Sequence, residues 1–176
     1  MFIRSKMIKE TDFYVKLVDA EFLRLSEISG VKFVLTEGFS EELSITGINV
    51  YRYKYDPTKD FKGPFIVANA NNYKQTLEYI KKHPNRVFAI IADLNSFMSD
   101  EMSHFNFIKL LNKVYSIPLL YGSGAKNGFE FVPPIILNYA LEFFCGERNI
   151  ERKKLYKTLS ERFISLLGDE RYFEKI

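Results

Sequence analysis

Apolar positions recur along this chain with two periods that take turns. From Asp12 to Leu17, the residues Phe13, Val15 and Leu17 alternate with Tyr14 and Lys16, a two-residue period that predicts a first strand. Asp19 stands where a helix cap belongs, ahead of a stripe of Phe22, Leu23, Leu25 and Ile28 that Gly30 terminates. Val31 to Leu35 is β-branched and apolar and predicts a second strand closed by Glu37-Gly38. Ser40 to Ile45 reads as one helical turn, and Ile48 to Tyr55 as a third strand near a sheet edge.

After a polar loop from Asp56 to Gly63, Pro64 to Ala68 is a continuous apolar strand. Asn71 or Asn72 can cap the next helix, with Tyr73, Leu77 and Ile80 inward, basic residues at its end and Pro84 stopping it. Val87 to Leu94 is apolar on both faces, as a strand covered by helices on both sides requires, and ends at Asp93. Ser99 opens a helix with Met102, Phe105, Ile108, Leu111 and Val114 at core spacing. Ile117 to Tyr121 is a last strand, followed by the loop Gly122-Ser123-Gly124-Ala125-Lys126. Pro133 and Pro134 open a helix carrying Ile135, Ile136, Tyr139, Ala140 and Phe143 that Gly146 ends. Ile150, Leu155, Leu159, Phe163, Leu166 and Leu167 supply one long or two short closing helices. Strands alternating with helices predict an α/β fold with a parallel sheet of about six strands and right-handed crossovers.

The length of 176 residues and the 47% apolar content predict one domain spanning 1–176. All aromatics are Phe or Tyr, so the core is expected to be Phe-rich, with buried Tyr hydroxyls in need of partners. The single Cys145 excludes an internal disulfide and reads as a small apolar helix residue. Met1 to Glu10 lacks a signal-peptide apolar run and no later run reaches membrane-spanning length, so a cytoplasmic protein is expected. Net charge is only +3, but six basic residues from Arg148 to Arg162 face three glutamates, a local basic excess.

Candidate chemistry is sparse. His83, His104 and Cys145 are not in metal-ligand spacing, and no G-x-S-x-G elbow supports a nucleophile. Asp93 follows a buried strand, where it can serve as an acid or can cap the loop from Asn95 to Met98, and no second carboxylate is spaced to pair with it. The glycine loop matches neither a Walker A nor a dinucleotide motif. Its small residues, backbone N–H groups and Lys126 fit a small anion or a sugar-phosphate backbone. Lys126 with Arg152, Lys153 and Lys157 would form one positive surface if the last helices fold back beside the loop.

The order of motifs resembles the C-terminal half of ribonuclease P protein component 3, an archaeal and eukaryotic family. The resemblance rests on I-P-L-L-Y-G-S-G-A-K from Ile117, on P-P-I-I-L-N-Y-A-L-E-F-F-C-G from Pro133, and on K-K-L-Y-K-T-L-S-E-R-F-I-S-L-L from Lys153. Upstream, Ile66 to Asn69 and Ala92 to Asn95 are similar to its middle strands, and the whole covers Pro64 to Leu167. It implies a TIM-like barrel related to the polymerase and histidinol phosphatase class, here reduced or with strands hidden in Met1–Ile8 and Phe39–Ile45. The related phosphatases hold metals through several histidines, which this chain cannot match. It also implies a subunit of the ribonuclease P endoribonuclease with no catalytic site and no cofactor of its own. Such a subunit supports the RNA that matures the 5′ end of precursor tRNA and pairs with a ferredoxin-like protein subunit. Ser123, Gly124 and Ala125 carry over as contacts by motif match, and Lys126 follows them. Arg152, Lys153 and Lys157 join as RNA-binding candidates from their charge. The alternative is a small α/β enzyme that binds a phosphorylated metabolite at Gly122–Lys126 with Asp93 as acid or base. A third reading is an interaction protein that uses Phe and Tyr surfaces.

Overall fold

A computed structural model describes residues 2–40, 47–111, 113, 117–145 and 150–176; side chains at 2–5, 141–142, 144–145 and 150–156 are outside that description. Helix α1 (Phe2–Lys9) leads into β1 (Thr11–Val15), and α2 (Ala20–Ile28) into β2 (Phe33–Thr36) and β3 (Asn49–Tyr53). Next come β4 (Phe65–Ala68), α3 (Tyr73–Lys82), β5 (Ala89–Asp93), α4 (Leu94–Met98), α5 (Glu101–Leu111) and β6 (Leu119–Gly122). A 3-10 turn (Gly128–Glu130), α6 (Pro134–Cys145), α7 (Ile150–Leu167) and β7 (Phe173–Lys175) complete the order. The stretch expected to hide a strand before Ile8 is helix α1, and 41–45 lies outside the described residues.

The strands form two sheets, β1-β2-β3-β7 and β4-β5-β6, and neither closes into a barrel. All described pairings are parallel except β3 with β7, a short antiparallel edge strand that sequence periodicity did not indicate. The sheets nevertheless share one interior. Phe13, Leu35, Tyr53, Phe65, Ile91, Leu120 and Phe173, from both sheets, form one buried cluster with Leu159 and Phe163 of α7. Phe163 packs its ring against Phe13 (5.7 Å) and Phe33 (5.8 Å), and Arg162 lies over Phe88 (4.8 Å). α7 therefore plugs the end where the strands begin.

Two seams join the sheets. Along β1 and β6, Gly124 N donates to Tyr14 O (2.8 Å) and Lys16 N to Ala125 O (2.8 Å). On the other side the Tyr55 hydroxyl donates to Phe65 O (2.9 Å) and accepts from Phe65 N (3.1 Å), doing with a side chain what a strand ladder would do. Outside the sheets, α2 buries Phe22 and Leu23 against β1 and β2, while α3, α4 and α5 cover β4–β6.

Both ends of α2 follow their sequence signals. Asp19 Oδ1 accepts from Phe22 N (2.7 Å), and Gly30 ends α2 at φ 77°. Asn72 occupies the cap position of α3 without capping it. Its side chain instead braces the preceding loop, accepting from Asn69 N and donating to Thr58 O and Val67 O.

One helix face differs from expectation. In α5 the inward residues are His104, Phe107 and Leu111, whereas Met102 and Phe105 are 67% and 65% exposed. His104 is tolerated inside because its Nε2 lies 2.9 Å from the Tyr121 hydroxyl and its ring stacks on Phe97; burial holds its pKa below the usual value. Tyr121→Phe should therefore cost about 1–2 kcal/mol in urea unfolding, the worth of a buried hydrogen bond whose partner stays behind. In α6 Pro134 and Leu137 are buried among the described side chains, and Ile135, Tyr139 and Phe143 face out. Val114 and Gly146 lie outside the described residues, as does the side chain of Cys145. No described helix is long and apolar enough to cross a membrane.

Candidate functional site

Parallel sheets gather their functional loops beyond the C-terminal ends of the strands, and here β1, β5 and β6 bring three groups together there. Asp93, the last residue of β5, is buried and accepts from Ser96 N through Oδ1 (3.0 Å), so it caps α4, as one of its two readings expected. Lys16, just past β1, places Nζ 3.2 Å from Asp93 Oδ2, near enough for an ion pair but off the line of a hydrogen bond. Asp12, inside β1 and fully buried, accepts from Ser123 N (2.9 Å) and Tyr14 N (3.2 Å) through Oδ1, while Oδ2 has no hydrogen-bond partner.

Burial controls the protonation of this cluster. Desolvation pushes Asp12 up to about 7, against the hydrogen bonds from Ser123 and Tyr14, with the charge of Asp93 adding to the rise. Desolvation also raises Asp93, with Ser96 and Lys16 opposing. At the end of β2, Glu37 is raised by burial and accepts from the Tyr14 hydroxyl (2.8 Å). The phenol of Tyr14 is in turn pushed up by burial and by Glu37. Chemically, the cluster is a set of acids whose protonated forms burial favours, with one ammonium, Lys16, beside Asp93.

The glycine loop sits against this cluster with its donors occupied. Ser123 N is taken by Asp12, Gly124 N by Tyr14 O, Ala125 N by Ser123 Oγ (3.2 Å) and Lys126 N by Glu130 Oε2 (2.8 Å). The free N–H groups expected from the sequence are thus engaged within the chain, because the loop serves as the β1–β6 seam. Ser123, Gly124 and Ala125 are buried, and only Lys126 of the four reaches solvent.

The basic candidates lie elsewhere. Lys157 is exposed on α7, and the side chains of Arg152 and Lys153 on the same helix lie outside the described residues, as does Arg148. α7 packs where β5 begins, whereas Lys126 lies beyond the end of β6, which pairs with β5 in register. The five residues of β5 span roughly 16 Å. Lys126 and the packed part of α7, at Phe163 and Arg162, accordingly lie toward opposite ends of the strands.

Sequence reading missed Asp12, Lys16 and Glu37. The available signal was Asp12 itself, because aspartate is disfavoured within strands and one flanked by Thr11, Phe13 and Tyr14 needs a reason to be there. Among the described residues, no group of three or more His, Cys, Asp or Glu is arranged to hold a metal ion. No protein-family model matches the chain, and no curated protein and no solved structure shows significant similarity to it.

Proposed function

We propose that this chain is a protein subunit of ribonuclease P, supporting the catalytic RNA in 5′ maturation of precursor tRNA. One observation carries the reading: the resembling motifs fall, in order, on β6, its buried Ser-Gly-Ala loop, a helix opened by Pro134 and a long closing helix. The finer fold belongs to the same proposal. Two sheets around a common interior, joined at the β1–β6 and Tyr55 seams, make a reduced version of the TIM-like barrel of that family.

In this reading cleavage is the work of the RNA, and the protein needs no cofactor of its own. RNA phosphates meet α7 through Arg152, Lys153 and Lys157, with Lys126 as a separate contact. Ser123, Gly124 and Ala125, being buried, act by shaping the backbone that presents Lys126. The partners are the ribonuclease P RNA and a ferredoxin-like protein subunit.

The test is to recover the tagged protein from its native extract and sequence the RNA that accompanies it. Enrichment of the ribonuclease P RNA, with precursor-tRNA cleavage in the same fraction, is the expected result. Changing Arg152, Lys153 and Lys157 to Ala should flatten the dependence of RNA affinity on salt, by about one logarithmic unit of slope for each phosphate no longer neutralised. Lys126→Ala should lower the slope separately. If neither set changes affinity, the assigned surface is wrong.

A second reading has its own observation, the buried Asp93 beside Lys16 at the strand ends. It makes the chain a small enzyme for a phosphorylated metabolite, with Asp93 as acid or base. Absence of enriched RNA at low salt, together with a turnover that Asp93→Asn abolishes, would favour it over the first.

A further inference from the structure

An exposed apolar groove among the described residues has a self-complementary layout. Met98 of α4 and Met102, Phe105 and Ile108 of α5 border a groove of about 860 Å³, closed on one side by Phe143 of α6. Met98, Met102 and Phe105 are each about two-thirds exposed and Phe143 is 79% exposed. Methionine and phenylalanine are the residues enriched in interface cores and depleted from ordinary surface. Together Met98, Met102, Phe105 and Phe143 present on the order of 600 Å², about the low end of what one partner contributes to a specific interface and fitting for a weak dimer.

Charge decides what covers this face. Glu101 and Lys109 border the same groove, four residues before and four after Phe105. Packing two antiparallel α5 helices about a two-fold axis at Phe105 sets Glu101 of one copy at the height of Lys109 of the other, twice. Met102 and Ile108 meet by the same symmetry. A contact of this isologous kind requires a surface that is its own complement. A partner helix with one sign of charge would leave Glu101 or Lys109 opposed.

We propose that the α4–α5 groove is the contact face of a symmetric dimer of this chain. Dimerisation through it does not depend on RNA binding, since the basic helix α7 packs at the strand beginnings inside the shared core rather than on this groove.

Sedimentation equilibrium of the full chain from about 1 to 100 µM tests it, with expected dissociation constants in that range. Phe105→Glu should raise the dissociation constant at least ~100-fold, as loss of a central apolar anchor does. Glu101→Lys should raise it about 10-fold, and adding Lys109→Glu should return it to the original value, because both reversed pairs are again opposite in sign. An unchanged far-ultraviolet circular dichroism melt for Phe105→Glu would establish that the variant is folded. A chain that stays monomeric at every concentration overturns the proposal. So does a dimer indifferent to Phe105→Glu, or a double reversal that fails to restore association.

Discussion

Gly124→Ala should destabilise the protein by about 4 kcal/mol or more, the sum of three separate penalties. Gly124 has φ 66°, a backbone region that costs an L-residue about 1–2 kcal/mol. A Cβ there would lie 1.8 Å from Asp93 Oδ1, and forcing an extra methyl into a packed site costs about 1–3 kcal/mol. Displacing that carboxylate also removes its bond from Ser96 N, a helix cap worth about 1 kcal/mol. Gly30→Ala serves as the control. Gly30 also has a positive φ, 77°, but nothing lies within 4 Å of its added Cβ, so only the backbone penalty remains. Denaturant unfolding of the two variants should differ by about 3 kcal/mol. Equal losses would mean that Asp93 is not held against the loop as described. With domain stabilities of about 5–15 kcal/mol, Gly124→Ala is expected to leave a measurable unfolded fraction.

Asp12→Asn should have the opposite effect at high pH. In the unfolded chain the carboxyl ionises near its ordinary value of 3.8, whereas burial keeps it protonated in the folded protein up to about 7. Between these values the folded state binds more protons than the unfolded one, so stability falls as pH rises and levels off above about 7. The loss amounts to about 4 kcal/mol at 1.36 kcal/mol per unit. Asparagine keeps an oxygen for the N–H groups of Ser123 and Tyr14 and resembles the protonated acid, so it removes the loss. Unfolding at pH 4 should give similar stabilities for the two proteins, and at pH 8 the variant should be more stable by up to that amount. Asp93 and Glu37 are raised as well and contribute slopes of the same sign. The difference between the two proteins therefore reports Asp12 together with its coupling to Asp93, and parallel pH profiles would contradict its burial as an acid.

Much of this architecture is legible in the residues alone. The alternation around Phe13, the unbroken apolar runs at Ile66 and Ile90, and the stripe Tyr73, Leu77 and Ile80 all became the strands and the helix face they indicate. Asp19, Gly30 and Pro134 work as helix punctuation because capping and φ preferences are local. The face of α5 was misread for a related reason. Periodicity reports that a helix has an apolar stripe, and this helix has more apolar residues than one buried face can hold. Which residues turn inward was settled by contacts made elsewhere, Phe97 and Tyr121 drawing His104 to the inside of α5.

The sequence by itself determined an α/β chain of parallel strands and the position of the loop after β6, because period, propensity and turn chemistry act over a few residues. Only the tertiary structure decided that this loop is a seam with its N–H groups engaged, that Asp12 accepts from Ser123 and that Lys16 pairs with Asp93. It also separated Lys126 from the packed part of α7. These outcomes depend on which strands lie side by side, over separations such as the 111 residues between Asp12 and Ser123, and no local pattern encodes a contact of that range.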